Sequence, residues 1–151
     1  MAEVRYSKFF TNNKSLLLRG QVNLETDPLK MALIASTYSL NLVHQQFSDL
    51  SAHELPTANG YTAGGIAIAN RSLSVDLLNE LVSVNADNPQ WTATGTLAAR
   101  FQVLYAVGTY GGITNPLISI AYKMDGLNYI DYSATGTEFT LILVDGKLLR
   151  I

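Results

Sequence analysis

The spacing of apolar and polar residues changes several times along this chain, and each change marks an expected element. From Ser7 to Arg19, Phe9, Phe10, Leu16 and Leu17 share one helical face while Lys8, Asn12 and Asn13 fall largely elsewhere. That spacing predicts a helix, with Ser7 as its cap and Gly20 just past its end. Such a helix either packs its aromatic face on the body of the protein or forms a terminal arm that binds a neighbour. After Gly20 the period becomes twofold: Val22 and Leu24 alternate with Asn23 and Glu25 up to Asp27-Pro28, so strands are expected from here on.

Leu29 to Ala35 is apolar at nearly every position, as in a central strand covered on both faces. Tyr38 to Gln46 reads either as a short helix or as an extended loop. Ser51 to Gly65 is rich in small residues, and Pro56, Asn59-Gly60 and Gly64-Gly65 mark turns or a close approach of another backbone. Leu73, Val75 and Leu77 alternate with Ser72, Ser74 and Asp76 as in a half-buried strand, and a second strand through Val82 and Val84 follows. Leu97 to Val107 is apolar on both parities and reads as the centre of the core. Ile118, Ile120 and Tyr122 form a further strand, which Asp125-Gly126 separates from Leu127 and Tyr129; Asp145-Gly146 likewise separates Thr137–Val144 from Lys147–Ile151. Asp-Gly between two strand-like runs is a strong hairpin signal. The expected fold is mainly β, an antiparallel sandwich or barrel-like domain with one N-terminal α-helix. It is expected as a single domain over residues 1–151, with an arm or helix at 1–20 and a β domain at 21–151.

Composition narrows the function. Only 15% of residues are charged, against 48% hydrophobic, so the chain can fill a core and still leave apolar surface for a partner. A formal net charge of −2 supplies no broad footprint for nucleic acid or anionic lipid. There is no cysteine, which excludes disulfides, thiolate metal sites and cysteine nucleophiles. The opening residues MAEVRYSKFF lack the apolar stretch of a signal peptide, and no apolar run is long enough to span a bilayer, so a protein made and used in solution is expected.

Candidate chemistry is sparse. His44 and His53 do not have metal-ligand spacing, and Ser51, His53 and Glu54 are neighbours in a loop, whereas a triad is assembled from separate elements. Asp87 and Asn88 lack the alternating oxygens, central Gly and distal Glu of a calcium loop. The glycines of 60–65 lack the spacing of a phosphate cradle. Glu54, Asp76 and Asp87 form no catalytic pair, so an enzyme is disfavoured, and no cofactor, metal or small-molecule substrate is expected. Eight tyrosines in so lightly charged a chain favour an adhesive role instead, and Trp91 is an anchor for a core or interface, with a carbohydrate platform as the alternative.

Several runs resemble a family of small tailed-bacteriophage virion proteins. They are Asp27-Pro28-Leu29-Lys30-Met31-Ala32-Leu33, then Phe47-Ser48-Asp49-Leu50 with His53-Glu54, and the block Gly60-Tyr61-Thr62-Ala63-Gly64-Gly65. Asp87-Asn88-Pro89-Gln90-Trp91 with Thr96-Leu97-Ala98-Ala99-Arg100 is similar to that family's core motif, Pro116-Leu117-Ile118 and the closing Thr137–Ile151 strands fit as well, and Pro89 departs from the pattern. The resemblance implies a virion structural protein, foremost a capsid decoration or cement protein whose partners are the major capsid protein and copies of itself. A neck or tail accessory protein, or a glycan-binding module of the particle, is the alternative. The contact residues expected on this reading are Val4, Tyr6, Phe9 and Phe10 in the N-terminal segment, Asn59, Tyr61, Gly64 and Gly65 in the loop, and Trp91.

Overall fold

The computed structural model describes residues 3–141 and 147–150; for Glu3, Val4, Lys147 and Arg150 it describes the backbone alone. The architecture is mainly β, with antiparallel pairing throughout, and the sheets do not close into a barrel. In chain order the elements are β1 (Glu3–Phe9), α1 (Lys14–Leu18), β2 (Leu29–Ile34), two single 3-10 turns (Phe47–Asp49 and Ser51–His53), β3 (Ile66–Ala67), β4 (Ser72–Asp76), β5 (Leu81–Asn85), β6 (Gln90–Thr92), β7 (Thr96–Ala99), β8 (Phe101–Ala106), β9 (Thr109–Tyr110), β10 (Ile113–Thr114), β11 (Leu117–Asp125), β12 (Asn128–Ile130), β13 (Tyr132–Thr135), β14 (Glu138–Thr140) and β15 (Lys147–Arg150).

One sheet runs in the order β1-β11-β8-β2-β3, with β12 paired to the far end of β11. As the two-sided apolar patterns anticipate, every residue of β8 is buried and β2 nearly so. Against one face of this sheet lie three antiparallel pairs that follow one another along the chain, β5–β15, β6–β14 and β7–β13. Between the two layers, Leu29, Met31, Leu33, Leu104 and Ile118 pack with Trp91, Leu97, Phe139, Leu141 and Leu149. The other face of the sheet carries Ile34, Phe101, Val103, Tyr105, Ile120 and Tyr122 and is covered by loop residues Phe10, Tyr38 and Leu50. Loops thus replace a third layer, and Asn13 ties them down by donating from Nδ2 to the carbonyls of Gln45 and Leu117.

The structure corrects the N-terminal expectation. The predicted helix over 7–19 is a strand followed by one helical turn and a half: β1 pairs along β11 from Glu3↔Asp125 to Phe9↔Ser119, and only Lys14–Leu18 is helical. Phe9, Phe10, Leu16 and Leu17 satisfy a helical spacing, yet a strand and a separate helical turn satisfy it equally, and the free edge of β11 decides for the strand. The described part of the N-terminal segment is accordingly no detached arm, because β1 is part of the main sheet. The strand expected at Val22–Leu24 is a turn. Asn23 Oδ1 accepts from the amides of Glu25 and Thr26, and Asp27 Oδ2 accepts from the Asn23 amide, so side chains take the hydrogen bonds a strand would need. Tyr38–Gln46 is an extended loop.

The hairpin at Asp125-Gly126 forms with its centre one residue later than the Asp-Gly signal suggests. Asp125 pairs with Asn128, so Gly126 and Leu127 are the central residues, and a positive φ falls on Gly126 alone (61°). That is the pattern of a II′ turn. The corresponding Asp145-Gly146 turn lies outside the described residues.

Candidate functional site

Two segments compete as the working surface: the glycine-rich loop singled out in the sequence and the β4–β5 hairpin. The loop is built inward. Ala58 and Tyr61 exchange both backbone hydrogen bonds around Asn59 (φ 55°) and Gly60 (φ 90°), which is the Asn-Gly turn of I′ type. A Cβ on Gly60 would strike the backbone carbonyl of Thr92, and one on Gly65 the carbonyl of Met31. The close approach that these glycines permit is therefore to the chain's own β6 and β2.

Tyr61 points the same way. It is 1% exposed, its hydroxyl donates to Glu54 Oε1 at 2.6 Å, and it accepts from the Leu33 amide at 3.1 Å. Glu54 Oε1 also takes the Gly64 amide at 2.5 Å, and the Tyr105 hydroxyl donates to the Gly64 carbonyl at 2.5 Å. Burial, reinforced by the Glu54 carboxylate, pushes the Tyr61 phenol well above the usual tyrosine range. The same two causes push Tyr105 up to about 12. The arrangement is a clamp that fastens the loop to β2 and β8.

The other expected contact residues divide. Phe10 and Trp91 are buried; Trp91 packs against Tyr61 and edge-on to Phe139, so its ring is no platform for a sugar. Gly64 and Gly65 belong to the clamp, and Asn59 is exposed but spends its amide on the Thr96 carbonyl. Tyr6 is exposed on β1 and stacks on Tyr122, Phe9 is half-buried, and Val4 pairs with Met124. Of the eight tyrosines, Tyr38, Tyr61, Tyr105 and Tyr122 are buried, which removes much of the adhesive surface their number suggested.

The polar candidates are likewise occupied. Ser51 Oγ donates to the Ser48 carbonyl, His53 Nδ1 shares a hydrogen bond with Thr37 Oγ1 and Glu54 serves the clamp, so the three neighbours do not converge. Asp87 accepts from Asn70 Nδ2. Tyr38 lies between the rings of His44 and His53, and its hydroxyl shares a hydrogen bond of 2.9 Å with His44 Nδ1. Beside it an open groove of about 360 Å³ is lined by Val43, His44, Gln45, Gln46, Asp49, Gly112 and Ile113. There the Asp49 carboxyl accepts from the amides of Gln45 and Gln46, which hold it below the usual carboxylate range. Among the described residues, no three acidic or histidine side chains gather as a metal would require.

The β4–β5 hairpin is built outward. Register pairs Leu73 with Val84 and Val75 with Val82, so the four share one face, and of them only Val84 is buried. Val75 is 65% exposed, and in the connecting turn Leu77 and Leu78 are 86% and 91% exposed. That turn has a defined shape. Asp76 Oδ1 accepts from the amides of Leu78 and Asn79, Asp76 Oδ2 accepts from Asn79 Nδ2, and Glu80 takes the left-handed conformation (φ 56°) that returns the chain. The leucines are held out by a fixed scaffold. The alternation of β4 was legible in the sequence, but the missed residues were Leu77 and Leu78. Two leucines where a turn ordinarily carries Gly, Asn or Ser were the available signal.

No family model matches the chain, and no curated protein and no solved structure matches it. No helix among the described residues is long and apolar enough to cross a membrane.

Proposed function

We propose that this chain is a virion structural protein of a tailed phage, a decoration or cement protein that docks on the outer capsid and bridges neighbouring capsomers. The observation that carries the adhesive part of this reading is the β4–β5 hairpin, where Leu73, Val75, Leu77, Leu78 and Val82 stand exposed on a body that otherwise spends its large apolar residues mostly on its two cores. Contiguous apolar surface of this kind is a mark of interaction sites. The virion part rests on the motif resemblance and on the light charge of the chain. Bound copies would stabilise a shell by mass action, and repeated weak contacts on a symmetric surface would add up through avidity. The glycan reading loses support, because Trp91, its proposed platform, is buried.

Quantitative mass spectrometry of purified particles from a phage encoding this chain tests the proposal. Hundreds of copies per particle are the expected result. About six or twelve, the symmetry of a neck or tail ring, would replace decoration with a neck or tail role. Absence from purified particles would overturn the virion reading altogether.

A further inference from the structure

Sheet edges invite pairing, and proteins blunt them with charges, proline, bulges or very short strands. The main sheet follows that rule: β1 brings Glu3, Arg5 and Lys8 to one edge, and β3, at the other, has two residues. β4 is less protected. It is the outer strand of the β15-β5-β4 sheet, runs in unbroken register with β5, and contains no proline, no lysine and no arginine. Its one charge, Asp76, lies at its end, where the carboxylate accepts hydrogen bonds from the turn. Among the described residues no strand lies beyond it.

The sequence of β4, Ser-Leu-Ser-Val-Asp, reads polar-apolar-polar-apolar-polar in both directions. An antiparallel copy centred on Ser74 would set Leu73 beside Val75 of the second copy and Val75 beside its Leu73. Ser72 would meet Asp76, so no two carboxylates would face each other. A twofold axis perpendicular to the sheet keeps faces matched, so the apolar faces of both hairpins would join in one band. The pairing covers the facing sides of Leu73 and Val75, 49% and 65% exposed, together with the two strand edges. That is less than the ~1,200 Å² of a standard specific interface, so the expected dimer is a weak and reversible one.

We propose that the occupant of this surface is a second copy of the chain, paired through β4 into a continuous six-stranded sheet with Ser74 on the twofold axis. The proposal names a partner for the surface on which the adhesive reading rests, but it does not need the virion reading. Because the chain has no cysteine, single-cysteine variants report cleanly.

The experiment is sedimentation equilibrium of the full chain up to about 1 mM, with mild oxidation of Ser74→Cys and Leu127→Cys and with thermal melts to confirm folding. The expected result is a reversible dimer, a disulfide dimer with Ser74→Cys but not with Leu127→Cys, and association weakened at least tenfold in Val75→Lys at an unchanged melting temperature. A folded chain that stays monomeric at that concentration overturns the pairing, as does a dimer that Val75→Lys leaves intact or that Ser74→Cys fails to trap. Failure of the two readings is distinguishable: a monomer found in particles in hundreds of copies sinks self-pairing alone, whereas a trapped dimer absent from particles sinks the virion reading alone.

Discussion

The loop over 54–65 and the hairpin over 72–85 look alike as candidates for gripping a partner, and the fold gives them opposite jobs. The loop, with its glycines and tyrosine, turns its special residues inward: Gly60 and Gly65 meet the chain's own carbonyls, and Tyr61 is locked between Leu33 and Glu54. The hairpin, an ordinary alternating strand pair, turns its aliphatic residues outward over a capped turn. A glycine shows that a backbone must pass close by, without saying whose; an alternating strand shows two faces, without saying which is covered. Both answers come from the distant elements packed against the segment.

The largest test of this contrast is Tyr61→Ala. If the loop is a clamp, the variant loses about 3–5 kcal/mol of stability in urea, the cost of emptying a buried aromatic site. Tyr61→Phe, which keeps the ring and leaves the Leu33 amide and the Glu54 carboxylate short of a partner, loses about 1–3 kcal/mol. A loop that worked mainly by gripping a partner would show little loss in either variant.

High pH sharpens the same point. A phenol held above its ordinary value keeps its proton in the folded chain while the unfolded chain gives it up, so the stability it confers is complete below pH 10 and is lost as the pH climbs through the folded value. For Tyr105, raised from 10.0 to about 12, the loss between those limits is on the order of 2 kcal/mol. Tyr61, shifted in the same direction, adds to it. Denaturation followed from pH 9 to 12 should show the decline, and Tyr105→Phe should flatten it.

Much of the body was legible because its signal is local. The both-parity apolar run at 29–35 is the buried strand β2, and Asn59-Gly60 is a turn. The run at 97–107, expected as one central strand, is divided: Phe101–Ala106 is the buried β8, whereas Leu97–Ala99 belongs to β7, which pairs with β13 in the other layer. The misreadings share a cause: Ser7–Arg19 had a helical spacing, but β11 offered an edge that took residues 3–9 into the sheet, and Asn23 drew the Val22–Leu24 backbone into a turn. Trp91 was read as an anchor for a core or an interface and Tyr61 as a contact residue; both are buried, and which address an aromatic residue takes depends on what lies across from it.

Gln102 offers a smaller test, set against the satisfied polar groups of the clamp. It sits in β8, 1% exposed, and among the described residues neither its Nε2 nor its Oε1 has a hydrogen-bond partner. An unpaired buried amide costs free energy, so Gln102→Leu should raise stability by about 1–2 kcal/mol, read as a higher urea midpoint at unchanged slope. No gain would mean that water satisfies the amide and that the interior of the sheet is wetter than the clamp beside it.

The smallest change in stability belongs to the hairpin, and its smallness is the point. Leu77 and Leu78 are almost fully exposed, and the turn that carries them is held by Asp76 and by the backbone of Glu80. Replacing both with serine removes little that the fold uses, so the melting temperature should move by no more than a degree or two, within about 0.5 kcal/mol. The same substitution takes away much of the exposed apolar surface, so retention on an apolar column and any concentration-dependent association should fall together. If stability drops by 2 kcal/mol or more, the leucines are part of the fold, and the division between a loop that holds the body together and a hairpin left for contact no longer stands.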